Sequence, residues 1–201
     1  MTAFARFLSY LFHPVFAPLI SIFLLFSLPI YINYKIPDQF VKFIYGVVFL
    51  NLVLSPILVS LFLKSKGIIA SLEMKETKER QIPYLISGIL YGLTYLLFKQ
   101  IEMPHFYLSF FLAAFLVIIA LLLLSLIHKK VSAHLAALGG ICGMLFIVSS
   151  LLKLDTTLLL IGFILISGLV ASARFRLKSH SFMELILGFG LGFTMQVIVF
   201  T

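Results

Sequence analysis

Three short segments of this 201-residue chain hold most of the side chains able to do chemistry. One runs Ala173-Arg-Phe-Arg-Leu-Lys-Ser-His180-Ser-Phe-Met-Glu184. His180 and Glu184 are four residues apart, so on a helix they share one face. A carboxylate bonded to one imidazole nitrogen fixes the tautomer and leaves the other nitrogen free to attack. The plainer reading is a charge pair at a helix start. A second segment, Lys129-Lys-Val-Ser-Ala-His134, leads into a wholly apolar run. Ser132 suits a helix cap, and His134 suits a proton donor near neutral pH. The third segment spans residues 73–84, Glu-Met-Lys-Glu-Thr-Lys-Glu-Arg-Gln-Ile-Pro-Tyr. Its alternating charges fit a solvated interfacial helix, with Pro83 in the first turn of the span that follows. Alternatively Arg80, with Lys75 or Lys78, forms an anion clamp, because a guanidinium fork fits phosphate oxygens. His134, His180 and Glu184 also offer the three ligands that an open zinc site needs. Their basic surroundings favour an anion over a cation, so no metal is expected.

The elements that must position these residues are membrane helices. Of the chain, 62% is hydrophobic and 11% charged, whereas a soluble domain has about 45–50% apolar and about 25% charged residues. Too little polar surface remains to cover a soluble core. Apolar runs long enough to cross a bilayer fall near 14–33, 42–63, 83–99, 105–127, 134–152, 156–173 and 183–201. The third is short and the seventh ends with the chain, which gives six to seven spans. Lipid cannot satisfy open strand edges, so all are helices. The first run ends without a small-residue cleavage site and reads as a retained span. Short linkers and the absence of an internal repeat give a single membrane domain over 1–201. The fold class is all-α, a polytopic transmembrane bundle with an interfacial helix before span three. Glycines 139, 140, 143, 188, 190 and 192 read as close helix packing. The lone Cys142 can form no intrachain disulfide.

The net charge is +8, but the basic residues sit between apolar runs. This favours anionic headgroups or a phosphorylated substrate over nucleic acid. Loops alternate sides with each span. Eleven of the fifteen basic residues then share the N-terminal side, among them Lys75, Lys78, Arg80 and Arg174. The same side collects Ser132, His134, His180 and Glu184. The positive-inside rule makes it cytoplasmic. Ionisable groups at span ends are also functional candidates.

Together the three segments resemble the type 2 phosphatidic acid phosphatase superfamily, over roughly residues 73–192. Its signature runs Lys-x6-Arg-Pro, then Pro-Ser-Gly-His, then Ser-Arg-x5-His-x3-Asp. Here Arg174, His180 and Glu184 keep the third spacing, with Ala173 for Ser and Glu for Asp. Val131-Ser132-Ala133-His134 keeps Ser and His of the second. Arg80 stands for the first, with proline at 83 instead of 81 and Glu73 where the lysine falls. The resemblance implies a helical-bundle phosphatase of the cell membrane that needs no metal or other cofactor. His180 would form a phosphohistidine, Glu184 would orient it, and His134 would protonate the leaving oxygen. Arg80, Arg174, Ser132 and Lys75 or Lys78 would hold the phosphoryl oxygens. The substrate would be a lipid phosphate or pyrophosphate held by the bilayer. The competing readings are a lapsed relative that binds or moves anionic lipid, and an unrelated small transporter.

Overall fold

A computed structural model describes residues 2–74 and 76–200. In chain order the helices are α1 (Thr2–Leu11), α2 (Ala17–Ser27), α3 (Asp38–Val47), α4 (Ser55–Ser65), α5 (Thr77–Gln100), α6 (His105–Leu126), α7 (Ala133–Leu152), α8 (Thr157–Arg176) and α9 (Phe182–Phe200). Among the described residues there is no strand. Seven helical stretches among the described residues are long and apolar enough to cross a membrane. The first, Ala3–Ser27, takes in α1 and α2, and the second, Asp38–Ser65, takes in α3 and α4. The other five are α5 to α9, each a single helix. The chain is thus an all-α, multi-pass bundle.

Two details depart from the sequence reading. The first span starts at Ala3, not near residue 14, and it is broken. Pro14 forces the residue before it out of the helical region, and His13 is extended, with φ −65° and ψ 136°. The α-helix therefore stops at Leu11, and a 3-10 turn, Pro14–Phe16, leads into α2. The charged segment, moreover, is not a separate interfacial helix. Residues 66–74 are turns and bends, and α5 runs unbroken from Thr77. The Glu79 carboxylate accepts the N–H groups of Glu76 (3.3 Å) and Ala70 (2.7 Å), which fixes the helix start in the charged stretch itself. Pro83 consequently lies in the helix interior, past the first turn, where it forgoes a bond to the Glu79 carbonyl.

The helices group into two compact units. One comprises residues up to Ala17 together with those from Val131 onward, and the other runs Pro18–Lys130. In the second unit α5 pairs with α6, and a π-helical stretch, Val48–Leu54, packs against α5. Asn51 in that stretch donates to the Thr94 hydroxyl at 3.3 Å, so two polar groups at membrane depth satisfy each other. Asn33 donates to the carbonyls of Leu25 (2.8 Å) and Leu28 (2.9 Å), which α2 leaves open at its end. It also accepts from the Tyr107 hydroxyl.

In the first unit α7 lies against α8, α9 and the Pro14–Phe16 turn. The α7–α9 seam is made of backbone. A methyl group on Gly139 would overlap the Phe189 carbonyl, and one on Gly192 the Ala136 carbonyl. Likewise a Cβ on Gly143 would lie 2.7 Å from the Phe193 oxygen, and one on Gly188 would lie 2.5 Å from the Ser132 oxygen. The two pairs, each four residues apart, present one bare stripe per helix. Gly190 has nothing within 4 Å, so its role is not packing. On the other side α1 packs on α8 through Ala5, Leu8 and Ala173, flanked by Phe12 and Leu177. The Asp155 carboxylate accepts the Thr157 N–H at 3.0 Å at the start of α8, which lowers its carboxyl pKa below the usual value.

Candidate functional site

The glycine seam brings the first turn of α7 against the first turn of α9. The Ser132 N–H donates to the Glu184 carbonyl at 3.1 Å, and Gly188 sits on the Ser132 carbonyl. His134 and His180 are therefore anchored at one end of the same seam.

The start of α9 is a capping box. Ser181 Oγ accepts the Glu184 N–H, and Glu184 Oε2 accepts the Ser181 N–H, each at 3.3 Å. The same Oε2 lies 2.7 Å from His180 Nδ1. The expected pair thus forms, but for a different reason from the one the spacing gave. His180 precedes the helix, and the carboxylate reaches back to it while closing the first turn. A carboxylate here is an acceptor, so Nδ1 carries the proton and Nε2 keeps its lone pair. The His180 side chain is 2% exposed and that of Glu184 25%.

His134 is held by the N-terminal helix. Where α1 ends, the Phe12 N–H goes to Leu8 and the His13 N–H goes to Tyr10. The Ser9 carbonyl, one of the last four of the helix, is met instead by His134 Nε2 at 3.1 Å. A carbonyl only accepts, so Nε2 carries the proton. Any proton that His134 delivers must therefore leave from Nδ1. Ser132 is wholly buried and caps α7, its Oγ accepting the Leu135 N–H at 3.5 Å. Replacing it with alanine is expected to cost about 1 kcal/mol of stability, the usual value of a cap. Thermal unfolding in detergent checks this, and a cap role predicts less than about a tenfold change in any turnover.

Arg174 lies in the last turn of α8 and is buried. Its charge acts on both His134 and His13, and His180 lies within electrostatic reach of His134. Five residues named from the sequence (Ser132, His134, Arg174, His180 and Glu184) therefore belong to one unit. Arg80 and Lys78 belong to the other, in the first turn of α5. There Arg80 is buried, donates from Nε to the Met74 carbonyl at 2.8 Å and bonds the Tyr84 hydroxyl. Lys78 is exposed, and Lys75 lies outside the described residues. Among the described residues no group of three or more His, Cys, Asp or Glu side chains is placed to hold a metal ion.

Sequence reasoning gave His13 no role in the site. Its ring meets His134 edge-on, with centroids 5.3 Å apart and planes at 79°. The available signal was a His-Pro pair interrupting an apolar run, a polar break where the membrane asks for none. No protein-family model, curated protein or solved structure matches this chain.

Proposed function

We propose that the chain is a phosphohydrolase acting on a membrane lipid phosphate or pyrophosphate. On this reading it is a divergent relative of the type 2 phosphatidic acid phosphatases it resembles. The observation that supports this best is the His180–Glu184 pair, a carboxylate 2.7 Å from Nδ1, on the unit that also holds His134 and Arg174.

On this reading Arg174 holds phosphoryl oxygens and offsets the charge that builds on them. His180 Nε2 attacks phosphorus as the bond to the leaving oxygen breaks. Glu184 stabilises the imidazolium that results. His134, doubly protonated once the phosphoryl dianion offsets the Arg174 charge beside it, gives its Nδ1 proton to the leaving oxygen. Neutral His134 then takes a proton from water as the water oxygen attacks the phosphohistidine, which releases inorganic phosphate and restores His180. A site at the end of membrane helices suits a substrate whose tails stay in the bilayer. The basic excess on that side of the sequence supports a cytoplasmic orientation in the cell membrane.

A second reading, a lapsed relative that binds anionic lipid, draws on the occupied state of Ser132 Oγ and His134 Nε2, both engaged in holding the fold. The two are separated by presenting phosphatidate and a polyprenyl pyrophosphate to the purified protein in detergent with a chelator present. Release of inorganic phosphate that the chelator does not stop is the expected result. Saturable lipid binding with no release would leave the second reading standing, and neither binding nor release would reject both.

A further inference from the structure

His13 has no part in the reaction just described, yet it stands beside the residues that do. We propose that it is a third imidazole of the site, whose Nε2–H donates to a phosphoryl oxygen of the bound headgroup. This rests on the phosphate-binding reading of the site and extends it to the N-terminal segment.

Four observations carry it. His13 sits at the break in the first span, where a polar side chain is costly unless something uses it. Its Nδ1 accepts the Val15 N–H at 3.3 Å, so the proton of the neutral ring is on Nε2. The ring lies edge-on to His134 and within the field of Arg174, so an anion drawn to that guanidinium is drawn towards His13 as well. Finally, His13 is half-buried, whereas His134, Arg174 and His180 are buried, so it is the most accessible of the three imidazoles to an arriving headgroup. Capping alone does not account for an imidazole, because asparagine caps as well, with a donor that stops short of the Nε2 position.

That difference supplies the test. His13→Asn keeps an acceptor for the Val15 N–H, but its amide nitrogen falls where the imidazole Cδ2 was, short of Nε2, while His13→Gln carries an N–H out to that reach. The full-length wild type and both variants in detergent are compared for hydrolysis of dodecyl phosphate. Equilibrium binding of dodecyl phosphate and of inorganic phosphate is measured in parallel. In His13→Asn the KM for dodecyl phosphate is expected to rise, and the binding of both probes to weaken, by about tenfold, as for a lost hydrogen bond to a charged group. kcat should change much less, and His13→Gln should recover much of the loss. Dodecyl phosphate should bind more tightly than inorganic phosphate if the ligand is a lipid headgroup. Binding and KM in His13→Asn equal to wild type would overturn the proposal and leave His13 a cap. If the wild type releases no phosphate, the hydrolytic reading fails by itself. The two binding constants still decide His13 in the same way. On the unmutated chain, dodecyl phosphate should also protect His13 from diethyl pyrocarbonate, and absence of protection counts against the proposal whether or not the variants fold.

Discussion

His180→Ala is expected to lower phosphate release from lipid substrates by about a thousandfold or more, the scale of removing a nucleophile that acts with its partners as one unit. The loss should fall on the chemistry and leave the fold, because His180 lies outside α9 and the capping box of Ser181 and Glu184 persists without it. Helix content and the unfolding midpoint in detergent should match wild type. Lipid-phosphate binding should survive, since Arg174 is untouched. Glu184→Gln separates the two duties of that side chain. Glutamine can close the capping box, but it cannot stabilise an imidazolium as a carboxylate does. It should retain the helix start and lose part of the turnover. Equal phosphate release by wild type and His180→Ala would end the histidine-nucleophile account. Silence from both across a broad panel would end the hydrolase account.

The largest effect on stability is expected from Gly192→Ala. Its added methyl group would overlap the Ala136 carbonyl and lie 2.7 Å from the Gly140 nitrogen. Both are backbone atoms of α7, so no side chain can turn aside to make room. The helices must part, at a cost of about 3 kcal/mol, the upper end for overpacking. Gly190→Ala is the matched control on the same helix, with nothing within 4 Å of the new atom. It should be neutral or slightly stabilising, because alanine is the better helix former. Unfolding in detergent for the two variants checks the difference, and equal midpoints would mean the seam is not the contact described. Phosphate release should fall in Gly192→Ala as well, since parting α7 from α9 moves Ser132 away from the Glu184 carbonyl.

The spans were legible because a bilayer asks for little more than length and apolarity, and seven runs met both conditions. Interruptions inside those runs were harder to read. Hydropathy passes smoothly across His13 and Pro14, and nothing in the run Val48–Leu54 distinguishes a π-turn from an α-turn. The charged stretch before α5 read as a separate helix because its composition changes at Pro83, whereas the backbone follows the bond from Glu79 back to Glu76. Of the site, His180 and Glu184 were visible together because they are local, even though a capping box and not a helix face joins them. His134 stood out as a titratable group at the head of an apolar helix. Its partner did not, since the Ser9 carbonyl is backbone and looks the same at every position. His13 was hidden for a related reason, as its neighbours in space come from the other end of the chain.

That separation has a consequence in time. The unit that holds the histidines joins the two ends of the sequence, while Pro18–Lys130 forms a unit of its own. The Ser9 carbonyl must wait for His134, 125 residues later, which at a ribosome's pace of about 5–20 residues per second is roughly 6–25 seconds. A chain halted after Lys130 already has every residue of the second unit, yet it lacks His134, Arg174 and His180. Whatever chemistry the site performs cannot begin in a nascent chain until α8 and α9 have been made and have met α1, which is synthesised before them.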